Sequence, residues 1–117
     1  MKVYRVEFSP YIPEDIEEVH KYIKETLNNL NAANRLKNGL LEKIEFLKEN
    51  PYARPLVNDR YLAYLGLRSI RINNYSLFYV IKESDDIKKR HIKILRFMYS
   101  RRDWINLLKD MPLDEII

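Results

Sequence analysis

Leu67-Arg-Ser-Ile-Arg-Ile-Asn-Asn-Tyr-Ser-Leu-Phe-Tyr79 alternates apolar and polar residues with a period of two, and two asparagines interrupt it. Asparagine tolerates positive φ better than other non-glycine residues, so Asn73-Asn74 predicts a tight turn joining two antiparallel strands. The expected strands are Leu65–Ile72 and Tyr75–Glu83. The second is apolar on both faces from Tyr75 to Ile81 apart from Ser76, as befits a central strand. A further alternating run, His91–Met98, predicts a third strand beyond a turn at Ser84-Asp85-Asp86.

Upstream of this sheet the period is helical. Pro13 suits the first turn of a helix, and Glu14 and Asp15 suit its electropositive end. Ile16, Val19, Ile23, Leu27 and Leu30 then recur at helical spacing. Asn28-Asn29-Leu30-Asn31 breaks that stripe, and Ala33, Leu36, Leu40, Ile44 and Leu47 begin a second one that Asn50-Pro51 ends. Two amphipathic helices joined so closely predict an antiparallel hairpin. Lys2–Phe8 alternates, with Tyr4, Val6 and Phe8 on one face, and predicts an N-terminal strand. Residues 51–64, with Pro51 and Pro55 and no clear period, are expected to be a connecting loop. The expected order is β-α-α-β-β-β-α, an α+β fold in one domain over residues 1–117, with a mostly antiparallel sheet packed on a helical hairpin.

At the end of the third strand, Ser100 and Asp103 have the S-x-x-D spacing of a capping box. A helix is therefore expected from Arg101 to about Asp110, burying Trp104, Leu107 and Leu108. Arg101 and Arg102 would then lie in the first turn, where the macrodipole disfavours cations by a few tenths of a kcal/mol up to about 1. An anion at that end would offset the cost.

The charge is uneven. Residues 1–60 hold ten Lys/Arg and ten Asp/Glu, whereas Arg68–Arg102 holds ten basic residues against Glu83, Asp85 and Asp86. A positive half on a neutral scaffold points to a polyanionic partner, nucleic acid or an acidic protein segment. The chain has no cysteine, which excludes disulfides and thiolate metal sites and fits a reducing compartment. His20 and His91 fall on different elements without metal-ligand spacing, so no metal is expected, and His20 is expected at the surface. Two glycines cannot build a nucleotide-binding loop, so no cofactor is expected. The N-terminal stretch lacks the apolar run of a signal peptide, and no run is long enough to span a membrane. A cytoplasmic protein without a membrane partner is expected.

The element order, the Asn74-Tyr-Ser-Leu-Phe-Tyr79 strand and the Arg96-Phe-Met-Tyr-Ser-Arg-Arg-Asp-Trp104 ending resemble the RelE/ParE superfamily of type II toxin–antitoxin toxins. The resemblance runs from Tyr4 to Leu108. It implies a toxin held inactive by a cognate antitoxin whose C-terminal segment wraps it. It also implies one of two targets: mRNA on the ribosome for RelE- and YoeB-like ribonucleases, or DNA gyrase for ParE-like members. Against YoeB-like toxins the general-base glutamate falls on Arg54, the strand arginine on Ser76 and the penultimate histidine on Met98; only Tyr99 is kept. Against RelE-like toxins the strand lysines fall on Leu67 and Ser69 and the helix tyrosine on Leu107, while arginines remain at Arg71 and Arg101.

The Arg-Arg-Asp-Trp ending is nearer ParE-like members, so the resemblance favours a gyrase poison. Arg68, Arg71, Arg96, Arg101, Arg102 and Trp104 would then contact the target or the antitoxin. A metal-free ribonuclease is the alternative, with Arg71, Arg96, Tyr99 and Arg101 as its catalytic set and Arg68 assisting. A decayed toxin that only binds an antitoxin is a third.

Overall fold

The computed structural model describes residues 3–117. Four strands form one sheet in the order β1-β4-β3-β2: β1 (Arg5–Phe8), β2 (Arg68–Ile72), β3 (Tyr75–Lys82) and β4 (His91–Tyr99). β1 runs parallel to β4, and the other pairings are antiparallel. The two-residue turn is as expected, with Asn73 at φ 55°. β3 is central, and its two faces feed separate apolar clusters. Leu77 and Tyr79 face the helical hairpin, whereas Phe78 and Val80 face the later helices.

The hairpin consists of α1 (Ile12–Lys21) and α2 (Leu30–Glu49). Ala33, Leu36, Leu40, Ile44 and Leu47 are buried against the sheet, the stripe that the spacing predicts. The first stripe is shorter than expected. After α1 the chain makes a π-helical turn (Tyr22–Thr26), which throws Leu27 out to 55% exposure. Asn28 follows at φ 50°, and Leu30 opens α2 behind Asn29, whose side chain accepts the Ala32 N–H at 2.9 Å.

Other expectations are corrected. Residues 51–64 are not all loop: Arg60–Tyr64 forms α3, capped by Asp59 through the Leu62 N–H at 3.0 Å. Gly66, at φ 91°, ends α3 in a Schellman arrangement, with Gly66 N–H on Ala63 C=O and Leu67 N–H on Leu62 C=O. β2 consequently begins at Arg68 rather than Leu65. The first strand covers Arg5–Phe8 rather than Lys2–Phe8, of which Lys2 lies outside the described residues, and at its end Phe8 is 49% exposed. His20 is half-buried and meets Asn34 at 3.1 Å. The sheet also carries helices on its second face. There α4 (Trp104–Lys109) and α5 (Leu113–Ile116) bury Leu108, Met111 and Ile116 against Val80, Leu95 and Met98.

The joint between α1 and β4 fixes where these layers meet. Pairing jumps from Phe78↔Arg96 to Tyr79↔Ile94, so Leu95 is the extra residue of a β-bulge. Its carbonyl is satisfied by the Ser9 hydroxyl at 2.6 Å, and Ser9 is itself 1% exposed. Past the bulge Arg96 forms a two-point ion pair with Asp15, Nε–Oδ2 at 2.7 Å and Nη2–Oδ1 at 3.0 Å. Asp15 also accepts the Phe97 N–H at 3.0 Å, and the Tyr11 ring lies 5.1 Å from the Arg96 guanidinium. Removing one member of such a pair leaves a buried charge uncompensated, at about 3–5 kcal/mol. Asp15→Ala is therefore expected to lower unfolding free energy by about that much in urea titration, more than Glu18→Ala, which removes only an exposed carboxylate one turn on.

Candidate target-binding face

The end of the sheet near the β2–β3 turn carries most of the residues that the sequence singles out. Ser76 on β3 stands opposite both Arg71 on β2 and Met98 on β4, so the three share a face. The Ser76 and Ser100 hydroxyls meet at 2.7 Å, and the Ser100 N–H donates to Asn74 C=O at 2.8 Å. Ser100 is thus held to the sheet and does not cap a helix. That corrects the expected capping box: α4 begins at Trp104, with Asp103 accepting the Asn106 N–H at 3.4 Å. Arg101 and Arg102 lie in the turn before it. They are exposed, with no ion pair among the described residues. The macrodipole mismatch disappears with the correction, and what remains is two uncompensated cations on a turn.

The other anticipated residues divide by what they touch. Arg96 is committed to Asp15, whose hydrogen bond raises its pKa against the opposing effect of burial. Trp104 stacks on Phe78, with centroids 5.1 Å apart and planes at 26°, so much of its ring packs the sheet and is not free for a partner. Arg71 is exposed and donates Nε–H to Asn73 C=O at 2.9 Å. Arg68 lies 5.1 Å over the Tyr52 ring and donates to Arg54 C=O. Arg54, where ribonuclease relatives would carry an acid, donates Nε–H to Ser69 C=O at 3.4 Å. Met98 is buried.

On the opposite side of the same end lies a groove of about 540 Å³ between α1 and the β3 and β4 strands, lined by Glu18, Tyr22, Tyr75, Tyr99 and Arg102 among others. Tyr75 and Tyr99 meet edge to face at 5.9 Å, and burial raises the Tyr75 pKa. Tyr99 is 41% exposed here, so the one tyrosine singled out from sequence is reachable. Sequence reading missed Tyr22 and Glu18. The signal available was Tyr22 interrupting an otherwise charged helix face, and the π-helical turn that turns it toward the groove has no local signature.

Tyr52 closes a second cluster. Its hydroxyl donates to Glu83 Oε2 at 2.5 Å, and Tyr4 donates to the same oxygen at 2.7 Å. That hydrogen bond, then burial, pushes the Tyr52 phenol up to about 12. Burial pushes Tyr79, bonded to Pro51 C=O at 2.9 Å, up to about 12 against the lowering effect of Arg68 and Arg54. Both values exceed the unfolded value of about 10, so their stabilisation is complete below about pH 10 and is lost as pH rises toward 12. Urea midpoints should hold steady up to about pH 9 and then fall between about pH 10 and 12. In Tyr52→Phe/Tyr79→Phe that alkaline fall should be shallower.

The family model of the ParE toxin of type II toxin–antitoxin systems, parDE, matches residues 6–104. The chain belongs to that family. It is a type II toxin–antitoxin toxin of the RelE/ParE superfamily, as the resemblance implies. Among solved structures, the chromosomal ParDE system of P. aeruginosa matches with a TM-score of 0.63 and 15% identity, covering 83% of this chain and 96% of that one. The RelBE2 toxin–antitoxin complex of Mycobacterium tuberculosis matches with a TM-score of 0.52 and 21% identity, covering 83% and 98%. At these identities they establish the shared α+β fold. No curated protein matches significantly. No helix among the described residues is long and apolar enough to cross a membrane.

Proposed function

We propose that this toxin arrests growth by binding DNA gyrase and trapping it on cleaved DNA, with its cognate antitoxin as the second partner. The carrying observation is the chemistry of the positions where ribonuclease relatives carry their general base, strand arginine and histidine. Arg54, Ser76 and Met98 stand there. The Ser76 hydroxyl is tied to Ser100, Met98 is buried, and Arg54 is a cation. Metal-free RNA cleavage needs one group to take the 2′-hydroxyl proton and another to protonate the leaving oxygen. A guanidinium, a hydroxyl held by another hydroxyl and a buried thioether supply neither role. Arg96, one of the ribonuclease candidates, is held by Asp15. Unpaired cations on an exposed turn suit the binding of an acidic surface or a phosphate backbone. In this reading Arg101, Arg102 and Arg71 make the contacts, Trp104 holds their turn on Phe78, and the protein acts in the bacterial cytoplasm as a single domain.

The ribosome-dependent ribonuclease is the second reading. It is favoured by the reachable Tyr99 phenol and by Arg102, which line the same groove.

Induction of the chain alone in bacteria, followed by mapping of both mRNA 5′ ends and gyrase-linked DNA breaks, separates the two. Gyrase-linked breaks and a DNA-damage response with intact transcripts are expected. Arg101→Glu/Arg102→Glu should reduce growth arrest by an order of magnitude or more without lowering soluble yield, and Tyr99→Phe should leave it intact. Codon-internal mRNA cleavage on undamaged DNA, lost in Tyr99→Phe, would sink the gyrase reading.

A further inference from the structure

The groove beside α1 holds polar groups that the rest of the fold leaves unused. Tyr4, Tyr52 and Tyr79 each spend their hydroxyl on an internal acceptor. Among the described residues, the Tyr22, Tyr75 and Tyr99 hydroxyls make no hydrogen bond, and the Glu18 carboxylate and the Arg102 guanidinium have neither a hydrogen bond nor an ion pair. All five residues line the same space of about 540 Å³, a volume within the range of small-molecule sites.

A departure from regular helix builds one wall. The Leu27 N–H reaches back five residues to Tyr22 C=O at 3.2 Å and closes the π-helical turn, a feature frequent at functional sites. Tyr22 is left 50% exposed on the groove. Burial, and then the neighbouring Tyr22 and Tyr99 phenols, raise the Tyr75 pKa, so the three hydroxyls lie near one another. An exposed carboxylate on α1 and an exposed guanidinium after β4 flank these rings. A second hollow of about 530 Å³ adjoins at Leu27, Asn74 and Tyr75, and no charged residue lines it.

Aromatic faces, a carboxylate and a cation together suit a planar base that carries adjacent N–H donors and an anionic group. We propose that the groove binds a guanine nucleotide, with its base against the tyrosine rings, its N1–H and N2–H donating to the Glu18 carboxylate and its phosphate on Arg102. Guanine has two adjacent donors on its base-pairing edge, which match the two oxygens of a carboxylate. Adenine and cytosine set a bare ring nitrogen beside the amino group, and uracil has a carbonyl on each side of its one N–H. Each of these turns an acceptor toward Glu18, which a carboxylate repels. The tyrosine hydroxyls remain for the ribose. A free nucleotide and the end of a nucleic-acid strand present the same chemistry, although the second hollow offers no cation for a next phosphate. The inference goes beyond the gyrase reading and holds or fails independently of the toxin's target.

The test is an NMR titration of the isotopically labelled full chain with GMP, beside AMP, IMP, guanosine and a 5′-phosphorylated oligonucleotide beginning with guanine. Expected are shifts at Glu18, Tyr22, Tyr75, Tyr99 and Arg102, with GMP bound on the order of tenfold more tightly than AMP, IMP or guanosine. Glu18→Gln should remove most of the preference for GMP over AMP, and Arg102→Ala should bring GMP down to the affinity of guanosine. Both positions are exposed, so either variant carries the test if the other perturbs folding. Tighter binding by the oligonucleotide than by GMP would support the site as one for a strand end, and equal or weaker binding as one for a free nucleotide. No binding, equal affinity for AMP and GMP, an unchanged preference in Glu18→Gln, or shifts confined to the Arg71 face of the sheet would each overturn the proposal.

Discussion

The Asp15–Arg96 pair is the joint on which the molecule depends. Without the bulge at Leu95, Arg96 would keep strict alternation and could not be presented to α1 in this way. Without Ser9, the bulge's carbonyl would be an unsatisfied buried acceptor, at a cost of about 1–3 kcal/mol. With both in place, one carboxylate meets a guanidinium at two points and a backbone N–H. α1 is thereby locked to β4, and the tyrosine groove opens beside the lock with Asp15 on its wall. A buried ion pair is weak evidence for net stability but strong evidence for a specified geometry, because misplacing either partner strands a charge.

The same pairing logic divides the basic residues into two populations. Those on β4 and the later helices are spent inside the fold: Lys93 on Glu115, Arg96 on Asp15 and Lys109 on Asp59. Those at the other end of the sheet are aimed by carbonyls or left on a turn. A strand-rich protein with this much positive charge would ordinarily gain from placing acids beside its arginines. Five such arginines, Arg54, Arg68, Arg71, Arg101 and Arg102, lie on β2, its preceding loop and the turn after β4 without a carboxylate at ion-pair distance among the described residues.

How much of this the sequence shows varies by element. The second hairpin stripe and the Asn73-Asn74 turn were legible because period and turn chemistry are local. α3 was missed although both its punctuation marks, Asp59 and Gly66, are present: six residues between them carry too little periodicity to outweigh two prolines. The cap at Ser100 was misplaced because S-x-x-D satisfies the local rule. Its hydroxyl and N–H were already claimed by Ser76 on β3 and Asn74 in the turn before it. Asp15 read as a helix-start acid, yet it sits in register with Ile12, Ile16 and Val19 on the inward face, which was the available hint that it had a buried partner.

For the site, the sequence alone determined its composition: an excess of arginine after Arg68, no thiol, and Arg54, Ser76 and Met98 where the resemblance to YoeB-like toxins puts a glutamate, an arginine and a histidine. These are facts of residue identity and need no coordinates. Only the tertiary structure decided which arginines remain available. It consumed Arg96 in an ion pair, turned Trp104 onto Phe78, and left Arg101 and Arg102 outside the helix that was expected to hold them. Charge is a property of the residue, but whether that charge is neutralised depends on what the rest of the chain brings within a few ångströms of it.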